Sequence, residues 1–234
     1  MSKRAVILAG GKGTRLKPYT VSLPKPLVPV GDMPILEIII RQLAKSEFDH
    51  ITITVNHMAD IIRAFCGDGS KWGVKIDYSL EDKPLSTMGP LKLIKDLPEN
   101  FLVMNGDVLT DLDFGAFYDS HVKEANVFTI SAYSREQKVD YGVLEIGTGN
   151  KLIDFIEKPT TRYNVSMGVY MANKQILDYI PENQLYGFDH LMLDLIKFHN
   201  PATVKVHSGY WLDIGRPDDY EKACNDFEQI KIKY

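Results

Sequence analysis

The chain has 234 residues, 44% of them hydrophobic, enough to bury a substantial core in one α/β domain or one domain with a small lobe. Its 27 basic and 31 acidic residues leave a formal net charge of −4, which argues against nucleic acid or a membrane surface as a partner, because both favour a strong basic excess. Cys66 and Cys224 form no CxxC motif, the N-terminal apolar run is short and broken by glycine, and no stretch approaches the roughly 20 apolar residues of a membrane span, so a reducing cytoplasm is the expected compartment.

Short apolar runs alternate with helical patterns, which predicts a mainly parallel sheet with helices on both faces. Residues 4–9 read as a first strand ended by a glycine loop. Residues 10–32 are rich in glycine and proline and show no helical period; a structureless stretch of that length in a compact domain is usually functional. Pro34 opens a helix to about Lys45, with Leu36, Ile39, Ile40 and Leu43 on one face. Strands are expected at 50–55 and 74–78, with a helix at 58–65 between them. Residues 101–105, FLVMN, form a buried strand ending at Gly106 and Asp107, and residues 126–133 are β-branched enough for another. Beyond residue 140, segments 141–146, 151–157 and 165–172 read as strands of an antiparallel lobe with turns at Gly147, Gly149 and Pro159. Helices near 174–180 and 187–198, a short strand at 209–213 and an amphipathic helix from Pro217 complete the pattern. In an open α/β sheet, ligands sit at the carboxyl ends of strands. Gly10, Asp107 and Asp213 all fall at such ends.

The segment from Ala9 to Leu16, AGGKGTRL, is the strongest local signal. Glycines let the backbone approach a ligand closely, and successive N–H groups can form an anion-binding concavity. Arg15 adds a planar cation suited to bidentate phosphate binding. Ten residues later Pro24 and Pro26 stiffen the chain around Lys25. Two cations and a backbone nest match a triphosphate. Competing motifs fit poorly: the GxxxxGK[ST] of a P-loop is absent, and Leu16 occupies the third glycine position of a dinucleotide fingerprint. Asp107 and Asp213 are candidate Mg²⁺ ligands, since that ion commonly takes one or two carboxylates plus substrate phosphates. No His/Cys cluster suggests zinc.

LAGGKGTRL followed by PKPLVPV resembles the signature of the sugar-phosphate nucleotidyltransferases. That family includes mannose-1-phosphate and heptose-1-phosphate guanylyltransferases and glucose-1-phosphate thymidylyl- and uridylyltransferases. The likeness runs to about residue 222. It implies a Rossmann-like, mainly parallel sheet of the GT-A type with a small antiparallel sugar-binding lobe, and a reaction that joins an NTP to a sugar 1-phosphate with release of pyrophosphate. Such reactions supply precursors for surface polysaccharides. The resemblance divides the chain into a nucleotide-binding part at 1–135, a sugar-phosphate part at 136–215 and a terminal helix at 216–234.

By the same resemblance, Leu8, Gly10, Gly11, Gly13 and Thr14 hold the nucleotide, Arg15 and Lys25 bind its phosphates, and Asp107 and Asp213 coordinate the catalytic Mg²⁺. The EKP signature assigns Glu157 and Lys158 to the sugar phosphate; Glu157 can accept from hydroxyls and Lys158 can bind the phosphate. Tyr141-Gly142 resembles the family's YG turn, with Gly142 against the sugar. Residues 164–168, NVSMG, stand at the usual N-A-G segment, so Ser166 replaces an asparagine found in many guanylyltransferases and Gly168 is kept. That departure points away from mannose and towards another sugar.

Residues 81–91, EDKPLSTMGPL, match the base-reading loop, with Ser86 and Met88 bulkier than usual and Gly89 retained. A carboxylate such as Glu81 complements the N–H donors at N1 and N2 of guanine, whereas pyrimidine readers tend to use a glutamine amide, and no glutamine lies between 43 and 136. GTP is therefore the expected nucleotide. The resemblance also allows a homo-oligomer. Two rival readings stay open: a thymidylyl-, cytidylyl- or uridylyltransferase, and a non-catalytic regulatory subunit, although such a subunit would be expected to lose Arg15 or one of the aspartates.

Overall fold

The computed structural model describes residues 2–227. The C-terminal end of the expected terminal helix, beyond residue 227, lies outside the described residues. In chain order the strands are β1 (Lys3–Leu8), β2 (Pro29–Val30), β3 (Met33–Pro34), β4 (Phe48–Val55), β5 (Lys75–Leu80), β6 (Asn100–Asn105), β7 (Val108–Thr110), β8 (Phe128–Lys138), β9 (Val143–Ile146), β10 (Leu152–Ile156), β11 (Thr160–Asn173), β12 (Thr203–His207) and β13 (Trp211–Asp213). The α-helices are α1 (Ile35–Lys45), α2 (Ala59–Cys66), α3 (Phe114–Lys123), α4 (Phe188–Lys197) and α5 (Pro217–Phe227).

Seven strands form one sheet in the order β12-β8-β11-β6-β1-β4-β5. Pairing is parallel except where β11 runs antiparallel to both β6 and β8. The mainly parallel sheet is therefore as expected, but residues 165–172 are not part of a separate lobe. They lie in the middle of the main sheet, because Val169 and Met171 on one face and Tyr170 and Ala172 on the other are all buried and need cover on both sides. The antiparallel extension consists of the β9–β10 hairpin and the outer ends of β8 and β11.

Side chains alternate across a strand, and the core divides accordingly. Ala5 and Ile7 of β1, Leu102 and Met104 of β6, and Val169 and Met171 of β11 join one cluster with α1, α2, α3 and α5. Val6, Phe101, Val103, Tyr170 and Ala172 join the other, with α4. The α1 face expected from periodicity is buried, and so are Ile35 and Ile38. Their cover comes from residues 10–32, which are not structureless. That stretch folds into three short 3-10 turns and β2, which pairs with β3 just beyond it, and its Leu16, Leu27, Val28 and Val30 lie in the same cluster as α1. Its lack of helical period reflects local turns held down by four apolar anchors.

Candidate active site

The carboxyl ends of β1, β4, β5 and β6 lie along one edge of the sheet and are followed by Ala9, Asn56, Glu81 and Gly106. A cavity of about 460 Å³ opens there. Leu8, Gly10, Gly11 and Lys12 line one side; Glu81, Leu85, Ser86 and Thr87 line another, and Asn105 and Asp107 stand among the residues that complete it. Glu81 is buried rather than facing solvent. The Leu85 N–H donates to its Oε2 at 3.3 Å, and the Asn56 amide donates to its backbone carbonyl at 2.7 Å. Burial pushes the Glu81 carboxyl above its ordinary range, partly offset by the Leu85 N–H. A Cβ at position 10 would sit 2.7 Å from Glu81 Oε1, so a side chain there would push the Glu81 carboxylate out of its present place.

The second half of the site depends on β13. This strand pairs antiparallel with β7, setting Asp213 opposite Val108, and the Ile214 N–H donates to the Asp107 carbonyl at 3.1 Å. Residues 107 and 213, far apart in sequence, thus lie side by side. Lys25, held at the start of a 3-10 turn after Pro24, forms an ion pair with Asp107 Oδ2. Burial first, and then the charge of Asp107, raises the Asp213 carboxyl, while Lys25 and Arg15 act against the rise. Arg15, carried by the turn that Gly13 and Thr14 begin, lines a second cavity of about 560 Å³ together with Asp213. Arg15, Lys25, Asp107 and Asp213 therefore converge where the two cavities adjoin.

The donor set fits a hard cation. Asp107 Oδ1 is buried with no hydrogen-bond partner among the described residues, and Asp213 adds a second carboxylate next to it. Among the described residues no group of three or more His, Cys, Asp or Glu is arranged for a metal, so a cation here would take its remaining oxygens from substrate and water.

The other expected residues fall into separate groups. Gly142, Glu157 and Lys158 come together on the exposed extension: a Cβ on Gly142 would lie 3.1 Å from Glu157 Oε2, and Lys158 Nζ is 3.9 Å from Glu157 Oε1. Lys158 adopts φ 46°, the bend that lets neighbouring residues of this strand end turn to one side. Ser166 is tied into the fold; its Oγ lies 3.0 Å from the Tyr170 hydroxyl and accepts from the Gly168 N–H at 3.2 Å. Gly168 packs beside Asn105 and Val108, near Asp107. Gly89 is buried, and its N–H donates to the Tyr186 carbonyl, so it shapes the loop and does not line the first cavity. Sequence reasoning missed Asn56 and Asn105, and it placed Ser86 and Thr87 in the base-reading loop without giving them a part in the site. Asn56 and Asn105 could have been found, since each lies at or just after the carboxyl end of a parallel strand.

A doubly flanked sheet with a glycine loop, a lysine–aspartate pair and a second aspartate at its carboxyl edge defines a nucleotide-handling α/β protein. Residues 4–230 match the nucleotidyl transferase family, and the chain belongs to it. It is 32% identical to a UTP–glucose-1-phosphate uridylyltransferase of Synechocystis over 98% of the chain and 64% of that relative. It is 33% identical to a mannose-1-phosphate guanyltransferase of Yarrowia lipolytica over 93% of the chain and 62% of that relative. The chain thus spans under two thirds of the length of these curated relatives. Among solved structures, HddC from Yersinia pseudotuberculosis complexed with GMP-PN aligns with a TM-score of 0.73 and 29% identity, covering 96% of this chain and 99% of the other.

Proposed function

We propose that the chain joins a nucleoside triphosphate to a sugar 1-phosphate, giving an NDP-sugar and pyrophosphate, and that the nucleotide is GTP. The observation that carries this reading is the convergence of Arg15, Lys25, Asp107 and Asp213 between two adjoining cavities. One cavity would hold the nucleotide and the other the sugar phosphate. In this reading residues 1–135 serve the nucleotide and 136–215 the sugar phosphate, and the reaction runs in the cytoplasm. Among the described residues no helix is long and apolar enough to cross a membrane.

The nucleophile, a phosphate oxygen, is already anionic, so no side chain need remove a proton from it. Catalysis rests on positioning and charge stabilisation. The glycine loop and Lys12 cradle the triphosphate, and Glu81 accepts from the base. Arg15 and Lys25 offset charge that develops on the departing pyrophosphate. Asp107 and Asp213 would hold Mg²⁺, whose chemistry when bound is charge neutralisation at the phosphates. Ser166 and Gly168 shape the sugar side, with Gly142, Glu157 and Lys158 on the extension that faces it.

Support for guanine comes from the buried carboxylate of Glu81 in the first cavity and from the GMP-PN complex of the similar HddC. The likeness to a uridylyltransferase favours a second reading, in which the same site takes UTP. A matrix of four nucleoside triphosphates and dTTP against heptose, mannose, glucose and amino-sugar 1-phosphates, read as Mg²⁺-dependent pyrophosphate release, separates the two. Release with GTP above all others is expected. Preference for UTP or dTTP would overturn the base assignment, and silence across the matrix would overturn the reaction.

A further inference from the structure

The second cavity carries a charge pattern that no motif singled out. Arg135 of β8, Arg216 just before α5 and Lys222 within α5 line it together with Arg15 and Asp213. Among the described residues, the side chains of Arg135, Arg216 and Lys222 make no hydrogen bond or ion pair. Glu136, the acid next to Arg135, is already held by Arg162 at 2.7 Å. With Arg15, four cations therefore face one space whose acids among the described residues are Asp213, Asp219 and Glu136. The same wall holds an aromatic pair: Tyr133 and Trp211 have ring centroids 5.4 Å apart, and Trp211 is fixed because its Nε1 donates to the Met167 carbonyl at 2.9 Å.

We propose that this cavity receives the sugar 1-phosphate, with the guanidinium groups of Arg135 and Arg216 binding its phosphate and the Tyr133–Trp211 pair backing the sugar ring. The inference rests on the nucleotidyltransferase reading and adds to it two phosphate-binding residues. A planar guanidinium presents two parallel donors to a phosphate, which fixes orientation as well as charge. The incoming phosphate must approach a triphosphate that repels it, so cations are needed on its own side of the carboxylate pair. Lys158 cannot supply them alone: its side chain is 57% exposed and it lines neither cavity. The aromatic wall separates the two phosphate sources. A sugar phosphate carries both an anionic head and a ring with an apolar C–H face, which suits the electron-rich face of an aromatic ring. The β- and γ-phosphates of the nucleotide have no such face.

The test uses the full chain with Arg135→Gln, Arg216→Gln, the double variant and Arg135→Lys, each checked for fold by circular dichroism. With the most active substrate pair, the apparent KM for the sugar 1-phosphate is expected to rise roughly 10- to 100-fold in each glutamine variant while the KM for the triphosphate holds; Arg135→Lys, which keeps charge but loses the fork, falls between. An unchanged sugar-phosphate KM, or a triphosphate KM that rises as much, would overturn the assignment. Calorimetric titration with inorganic phosphate gives a readout that needs no turnover: the wild type binds and the double variant does not. If no substrate pair reacts but phosphate binding is lost with the arginines, the catalytic reading fails and the anion site stands. If turnover is normal and phosphate binding survives in the double variant, the anion site fails and the catalytic reading stands.

Discussion

Arg15 stands beside Asp213, its side chain makes no hydrogen bond or ion pair among the described residues, and its role is set by charge. A group that stabilises charge developing on a leaving pyrophosphate contributes to the transition state more than to the ground state, so its loss should lower kcat and leave KM little changed. Arg15→Ala is expected to reduce kcat about 10²- to 10³-fold. Steady-state pyrophosphate release measures it, and near-normal turnover would remove Arg15 from the mechanism. Glu81 allows a second argument. Because burial raises its titration, falling pH protonates it before exposed carboxylates, and a protonated carboxyl is a poorer acceptor for the N–H groups of guanine. The KM for GTP should therefore rise as pH falls through that raised range, from a low value at neutral pH. Glu81→Gln should have a high KM that stays flat over the same range. Parallel profiles for the two proteins would show that Glu81 does not read the base.

At the scale of elements, β11 shows how a strand can be bent to make a site. Its pairing with β8 shifts register between Ser166 and Tyr170, and Gly168 within that break has φ 75°. A Cβ there would stand 2.6 Å from the Asn105 amide nitrogen, two residues before Asp107. Gly168→Ala thus combines a left-handed backbone with a clash, and a loss of roughly 1–3 kcal/mol is expected, read from urea unfolding. An unchanged midpoint would mean that the bulge relaxes freely. What was legible in the sequence follows the same physics. The strands at 50–55 and 101–105 and the helix at 35–45 have strong apolar patterns and stand where expected. α3 was missed because Gly115, three aromatic residues and Val122 blur its period, although Asp113, whose carboxylate accepts from the Ala116 N–H, marks its start. β12 was missed although its Thr-Val-Lys-Val-His alternation is a strand signal. The outer part of β11, residues 160–164, is exposed and carries little hydrophobic patterning to read. Within the site, the aspartates and the glycine loop were marked by local motifs. The four-element cavity around Arg135 and Arg216 was not, because no local period records which distant segments meet.

On the scale of the whole molecule, stability should carry the signature of a buried imidazole. His121 of α3 is fully buried under β8, where its Nδ1 lies 2.8 Å from Thr129 Oγ1 and its Nε2 has no partner among the described residues. Burial lowers its pKa from the ordinary 6.5 to about 4; nearby Glu124 opposes the shift and Lys205 adds to it. In the unfolded chain the same ring takes up a proton near 6.5. As pH falls below 6.5 the unfolded state therefore gains protons that the folded state refuses, and folding weakens until the native ring also protonates near 4. The contribution is complete above 6.5 and is lost through that window. Exposed carboxylates held low by hydrogen bonds, such as Asp96 with Arg4 and Glu124 with Lys205, lose their contribution at lower pH still, because their folded titration lies below the ordinary acid range. The two processes can be separated with His121→Gln, which retains a group able to reach Thr129 but cannot titrate. In urea unfolding followed from pH 7 to 4, the wild-type midpoint should track that of His121→Gln above about 6.5 and then fall away from it steadily as pH drops towards 4. Parallel curves throughout would mean that the ring exchanges protons with solvent in the native state as readily as in the unfolded one.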